Sequence, residues 1–265
     1  MDDGPQEHDE YPHLKESALN ADPAAQQSLL DVQAQDSTLA QLAHRRRNLP
    51  EHERVAELTE QITEVNGNRV EADTAVADLT RAQSKADAEV EQVKARKARD
   101  EERLNSGAVS NPKDLESLQH ELVALDRRIA TLEDEELEVM EQLEEAQTGL
   151  SVITADLEAL RTDLAQVETA RDTALAEIDE RVAAAEQDRE LVVAKVPDEL
   201  LSLYDKVREQ YGGLGAAALR ARRCEGCRLE LNGADLREIA TRPEDEVLRC
   251  PECSRILVRT PESGL

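Results

Sequence analysis

From residue 112 to residue 195 the sequence keeps one seven-residue apolar register that never slips. One row reads Leu115, Leu122, Ile129, Glu136, Leu143, Leu150, Leu157, Leu164, Arg171, Ile178, Ala185, Val192. The other reads Leu118, Leu125, Leu132, Val139, Ala146, Ile153, Leu160, Val167, Ala174, Arg181, Asp188, and nineteen of the twenty-three positions are apolar. A strict 3.5-residue period specifies a left-handed coiled coil. Residues 51–104 carry the same repeat more loosely. Their rows are Val55, Ile62, Arg69, Val76, Gln83, Val90, Lys97, Leu104 and Leu58, Val65, Ala72, Leu79, Ala86, Val93, Asp100, with eleven of fifteen apolar. Between the two stretches, Asn105-Ser106-Gly107 stops a helix, Gly107 being suited to a left-handed cap. Asn111-Pro112 starts the next, with Asn as N-cap, Pro at the first helical position and Asp114 in the first turn. Two seams joined by so short a loop should fold back antiparallel.

A third helical pattern, about 24–48, contains Leu29, Val32, Leu39 and Leu42 and runs into Pro50. Proline removes a backbone donor and clashes with the preceding turn, so the helix breaks there and restarts. Helices of about 24–48 and 51–104 together match the length of 112–195, which places 24–48 beside roughly 166–195. At 1.5 Å per residue the rod is expected to be on the order of 120 Å long. The polar seam residues Arg69, Gln83, Lys97 and Arg171 are expected to fix register. Residues 1–23 hold Pro5, Pro12 and Pro23 without any period and read as a disordered arm. Pro197 ends the long helix, and a short amphipathic connecting helix follows within 197–212, with Leu200, Leu201, Tyr204 and Val207 on one face. Gly212, Gly213 and Gly215 mark the boundary of a last domain, 213–265.

Composition agrees with helices that have a narrow seam rather than a broad core. Phe and Trp are absent and the only aromatics are Tyr11, Tyr204 and Tyr211; a third of the residues are charged. Low aromaticity and a net charge of −27 would also fit a disordered acidic chain, but disorder produces no heptads. The charge opposes non-specific attraction to nucleic acid or an anionic membrane. Neither a secretory signal nor an apolar run of membrane-spanning length is visible. The expected location is the cytoplasm, where thiols stay reduced.

All four cysteines fall in two CxxC pairs, Cys224-Glu225-Gly226-Cys227 and Cys250-Pro251-Glu252-Cys253, 22 residues apart. Each CxxC turn puts two sulfurs on one side of an ion, and two such knuckles complete the tetrahedron that zinc prefers. Gly226 tolerates the tight knuckle. Two redox-active disulfides would call for a thioredoxin-like strand and helix around either pair, and none is present. A single iron is chemically feasible in the same sulfurs, although rubredoxin-type sites usually sit among aromatics missing here. A catalytic zinc is disfavoured because four thiolates leave no open position for water. The spacer has room for a strand at 228–231, a short helix at 234–240 capped near Asn232, and a strand at 247–249 that forms a hairpin with 256–258. The five histidines, His8, His13, His44, His52 and His120, all lie far away in sequence.

Residues 213–265 hold nine arginines and nine acidic residues, against 23 basic and 50 acidic elsewhere. Arg220, Arg222, Arg223 and Arg228 cluster at the first knuckle, with Arg249 and Arg255 beside the second. Arginines that touch phosphate position a nucleic acid without reading its sequence. The plainer reading is a solvated edge that pairs with Glu225, Glu230 and Glu252 or offsets thiolate charge, since no aromatic stacking platform accompanies them. His44–Arg47 and Lys94–Arg99 are read as ordinary helix faces.

Three segments together carry a family resemblance: Ser106-Gly107-Ala108-Val109-Ser110-Asn111-Pro112-Lys113-Asp114-Leu115, Cys224-Glu225-Gly226-Cys227-Arg228-Leu229-Glu230-Leu231, and Cys250-Pro251-Glu252-Cys253-Ser254-Arg255-Ile256-Leu257-Val258. They resemble the bacterial C4-type zinc ribbon family with an N-terminal coiled-coil hairpin, over about 24–260, in actinobacterial wording. The family's usual glycine after the last cysteine is Ser254 here. The resemblance implies that Cys224, Cys227, Cys250 and Cys253 hold one structural Zn2+. It also implies an adaptor or regulatory role, with protein and nucleic-acid binding suggested. The expected fold is mainly α, a long antiparallel coiled-coil hairpin followed by a small β-rich zinc ribbon. The expected function is a non-enzymatic adaptor that binds a protein partner, with a nucleic-acid-binding regulator as the alternative. No membrane and no small-molecule substrate are expected.

Overall fold

The structure is a computed structural model and describes residues 19–265. The described residues form two compact units, one Pro50–Arg171 and the other 19–49 together with Asp172–Leu265.

The first unit is a two-helix antiparallel hairpin built from α2 (Pro50–Asn105) and the first part of α3 (Pro112–Val193). Every one of the fifteen seam positions of α2 is at least half-buried, and Leu58, Val90, Leu118, Leu125, Leu132, Leu143 and Leu157 are buried outright. The loop is closed as its residues require. Gly107 takes a left-handed φ of 66°, and the Lys113 amide donates to Asn111 Oδ1 at 3.1 Å. Lys94 bonds to Glu133 at 2.8 Å and Lys97 to Asp126 at 2.5 Å, while Arg96 pairs with Glu121. Three cations of the basic run on α2 are therefore paired with α3. Arg96 and Glu121 are almost level across the loop, while Lys94 and Lys97 reach partners further along α3.

In the second unit α1 (Pro23–Arg47) lies against the last turns of α3. Leu42 and Leu49 meet Ile178, and Arg46 bonds to Asp179 at 2.6 Å. One expectation fails here. Arg181 and Asp188 are exposed, and Leu175, Val182 and Arg189 are the half-buried positions instead. A straight helix drifts by about 20° per heptad against a 3.5 repeat, and one step of four residues lets the buried stripe follow that drift.

After Pro197, α4 (Asp198–Gln210) leads into a four-stranded sheet of order β2-β1-β4-β3. Its strands are β1 (Ala216–Arg220), β2 (Arg223–Cys224), β3 (Leu248–Arg249) and β4 (Ile256–Arg259). β1 runs parallel to β4 and antiparallel to β2, and β3 closes the other edge antiparallel to β4. Strand alternation divides the side chains between two cores. Ala216, Ile256 and Val258 join Ala25, Leu29, Val32, Leu200, Tyr204 and Val207 on the helical side. Ala217, Leu219 and Leu257 join Leu231 and the α5 residues Leu236 and Ile239 on the cysteine side. Helix α5 (Gly233–Thr241) is capped by Asn232, whose side chain accepts from the amides of Ala234 and Asp235. The strand expected at 228–231 is only a single bridge, between Arg223 and Glu230, and β1 is an element that the sequence reading lacked.

The expected arm over 1–23 also needs correction. Residues 1–18 lie outside the described residues, but 19–22 are folded onto the ribbon. The Ala21 amide donates to Asp245 O at 2.7 Å and the Val247 amide to Leu19 O at 2.9 Å. Arg259 holds the same loop by donating to the carbonyls of Arg242, Pro243, Glu244 and Glu246.

A buried polar network ties helices and ribbon together. Asp36 on α1, 2% exposed, bonds to Arg189 of α3 at 2.7 Å, accepts from the Tyr204 hydroxyl at 2.7 Å, and lies 3.3 Å from Arg208 of α4. Gln33 Oε1 accepts from the Gly215 amide at 2.6 Å, and its amide nitrogen donates to Gly213 O at 3.0 Å. The ribbon is thus seated on α1 and α4 and shares a core with them.

Candidate metal centre

Two knuckles of the same design present the cysteines. In the first, the Arg228 amide donates to Cys224 O at 2.7 Å; in the second, the Ser254 amide donates to Cys250 O at 2.8 Å. Both turns require a left-handed residue just after the second cysteine, and Arg228 (φ 62°) and Ser254 (φ 59°) take it. Ser254 therefore keeps the turn that glycine would make, at a steric cost of about 1–2 kcal/mol. Gly226 has a different reason from the one expected. A Cβ there would stand 2.9 Å from the Cβ of Ala217, so glycine lets the knuckle approach β1.

The four sulfurs all lie within 4.8 Å of one another. Cys224 Sγ is 3.9 Å from Cys253 Sγ, and Cys227 Sγ is 4.0 Å from Cys250 Sγ. A tetrahedral zinc with Zn–S near 2.3 Å sets its sulfurs about 3.8 Å apart, so the spacing fits. Backbone amides of Gly226 and Cys227 point at Cys224 Sγ, and those of Glu252 and Cys253 at Cys250 Sγ. Burial nonetheless pushes the Cys224 and Cys250 thiols up. Burial would push Cys253 up as well, but the Arg255 amide and guanidinium aimed at its sulfur bring it below its ordinary range. A zinc held here by four thiolates has no open position and supplies a cross-link, not a Lewis acid for substrate.

The arginines separate into two groups. Arg255 faces inward: it donates to Leu214 O at 3.0 Å and Tyr211 O at 3.4 Å and stacks 5.5 Å from the Tyr211 ring centroid. Its role beside Cys253 was missed because nothing in the sequence distinguishes it from its neighbours. Arg220, Arg222, Arg223 and Arg228 are exposed around the first knuckle, and Arg249 is exposed on edge strand β3. Arg220 lies 3.4 Å from Glu262. Ala221 (φ 43°) and Arg222 (φ 65°) form the β1–β2 turn in left-handed backbone. That turn is held by their amides donating to Glu262 O and Ser263 O at 2.7 and 2.8 Å.

Comparison with known proteins agrees with this architecture. Residues 32–212 match the CT398-like coiled coil hairpin domain, and residues 223–257 match the C4-type zinc ribbon domain. The Mycobacterium tuberculosis protein Rv2229c is 39% identical over 241 residues, 91% of this chain and 98% of that one. The Mycobacterium leprae protein ML1638 is 31% identical over 221 residues, 83% and 94% of the two chains. A solved structure from Mycobacterium smegmatis, 38% identical, superposes with a TM-score of 0.78 over 91% of this chain and all of that one. CT398 from Chlamydia trachomatis, at 18% identity, shares the fold with a TM-score of 0.62, over 89% and 98% of the chains. One structural Zn2+ in a C4 ribbon follows from the ribbon match and the sulfur geometry together.

Proposed function

Since the chain belongs to the CT398-like coiled coil hairpin family and carries a C4-type zinc ribbon, we propose that it is a non-enzymatic cytoplasmic adaptor. Its hairpin captures a protein partner, and its ribbon makes a second contact. In this reading Cys224, Cys227, Cys250 and Cys253 hold the zinc that shapes the ribbon, and the metal takes no part in chemistry. The observation that carries the reading is how the buried polar groups are used: Asp36, Gln33, Tyr204 and Arg189 bond to one another and to backbone across three helices, which is a structural rather than a catalytic arrangement. Among the described residues no helix is long and apolar enough to cross a membrane. The test is an affinity pull-down of the full chain from native lysate with and without nuclease. A protein partner retained after nuclease is expected, and capture that disappears with nuclease would sink the adaptor reading.

A second reading, a nucleic-acid-binding regulator, is favoured by one feature. Arg222 and Arg228, whose left-handed backbone serves the β1–β2 turn and the first knuckle, both present exposed side chains beside that knuckle. With Arg220 and Arg223 they would contact phosphate, with Arg249 as an outlying member, while Arg255 is committed to the fold. Binding of the full chain to single-stranded or duplex nucleic acid at low salt should then weaken with Arg222→Ala and Arg223→Ala uniformly across sequences. Absence of any low-salt binding removes this reading.

A further inference from the structure

One cation joins the metal centre to the end of a helix that contributes no ligand. Tyr211 closes α4 as its C-cap, and the last carbonyls of a helix lack intrahelical partners and carry its negative end. The Arg255 guanidinium meets that end. It donates to Tyr211 O at 3.4 Å and to Leu214 O at 3.0 Å, and its Cζ stands 5.5 Å from the centroid of the Tyr211 ring, whose face attracts a cation as the carbonyls do. The same guanidinium, with the Arg255 amide, is aimed at the Cys253 sulfur. Gly226 leaves room for the Arg255 stem, since a Cβ there would lie 3.2 Å from Arg255 Cδ and 3.5 Å from Leu214 Cδ2. The side chain therefore passes beside both knuckles and the segment that joins α4 to β1.

Charge gives this placement a consequence. Four thiolates exceed the charge of one Zn2+, so the loaded centre is an anion. Arg223 and Arg228 beside the first knuckle are exposed, and water screens them. Arg255 is half-buried, and two carbonyls and a ring fix its head where solvent would leave it free. Its target is also a ligand that a competitor can reach: Cys224 and Cys250 are buried, while Cys227 and Cys253 are half-buried. Removing the group that orients a metal ligand from behind usually lowers metal affinity about tenfold or more. Tyr211 sets where that group stands.

We infer, independently of the adaptor reading, that Tyr211 is a positioning residue for the zinc site. Docked at the end of α4, it holds the Arg255 guanidinium against the Cys253 thiolate, so that zinc retention depends on how α4 meets the ribbon. Movement of α4 away from Arg255 then releases the metal more readily, because the two contacts share one side chain and are coupled through it.

The test mixes the zinc-loaded full chain with an excess of a chromophoric chelator and reads the rate of zinc transfer. Arg255→Gln should release zinc roughly tenfold faster than the parent. Arg255→Lys, which keeps the charge without the planar fork, should fall between the two. Tyr211→Leu, which alters no residue of either knuckle, should accelerate release by a smaller factor, and should add nothing once Arg255→Gln is present. Arg223→Gln removes an exposed cation next to Cys224 and should leave the rate unchanged. Hydrogen exchange of amides 200–207 should match the parent in every variant, which separates positioning from loosening of the helical core. A parental rate in Arg255→Gln or in Tyr211→Leu, additive effects of those two substitutions, or an equal effect of Arg223→Gln would overturn the proposal. So would faster exchange at 200–207 accompanying the faster release.

Discussion

Replacing Asp36 by alanine tests whether the ribbon is seated on the helices by charge as well as by apolar packing. The carboxylate is 2% exposed, with three partners from two other helices: Arg189, Arg208 and the Tyr204 hydroxyl. The hydrogen bond from Tyr204 to a charged acceptor contributes about 1.5–3 kcal/mol. The side chains of Arg189 and Arg208 are 28% and 34% exposed. Both keep some water, so each pair is discounted to about 0.5–1 kcal/mol. The sum, about 2.5–5 kcal/mol, agrees with the usual cost of removing one partner from a buried ion pair. Because the protein has two units, global unfolding is a poor assay; hydrogen exchange by mass spectrometry resolves the regions. Amides of 200–207 and 216–219 should exchange roughly a hundredfold to a thousandfold faster wherever exchange follows opening of this unit, while those of 60–100 stay unchanged. Tyr204→Phe alone should give a smaller acceleration, and the double variant less than the sum of the two. Unchanged exchange in Asp36→Ala, or strict additivity with Tyr204→Phe, would refute the network as a source of stability.

Elemental analysis of protein purified without added metal should find about one zinc per chain and no iron, and near-zero metal in reduced protein would contradict the site. Cys227→Ser should release the cysteine-side core around Leu231, Leu236 and Ile239 while helical circular dichroism persists, because most helical residues are packed elsewhere; loss of most helical signal would show the opposite. Gly215→Ala should cost about 1–3 kcal/mol, since its Cβ would stand 2.8 Å from the Tyr204 carbonyl oxygen; a neutral result in the same exchange assay would mean that the contact yields. Burial, and then the Asp36 hydrogen bond, raise the Tyr204 pKa well above its ordinary 10.0. A group raised on folding stabilises below its unfolded pKa and loses that contribution as pH climbs. Stability of this unit should therefore fall above about pH 10 in the parent and less so in Tyr204→Phe, as alkaline unfolding followed by absorbance would record.

Long-range periodicity and ligand chemistry were legible in the chain itself. The heptads, the stop at Gly107, the restarts at Pro50 and Pro112, and the four sulfurs of a C4 site depend on local geometry or on residue types that few other structures can use. The Asn232 cap and the 248–249 hairpin with 256–259 were readable for the same reason. Tertiary structure decided the rest. β1 is written Ala-Ala-Ala-Leu-Arg, a string with no strand alternation and good helix propensity, and it is extended because β4 lies alongside and helices cover its face. Residues 19–22 look like an unstructured tail until the 245–247 segment offers them backbone partners. Asp36 and Gln33 read as ordinary polar positions of a helix, and only the arrival of α3, α4 and the 213–216 turn buries them. The end of the α3 seam moved by one position, and Arg255 turned from surface cation to support for Cys253. In each case the deciding partner is more than 100 residues away or in another element, and no local pattern encodes which neighbour will desolvate a side chain.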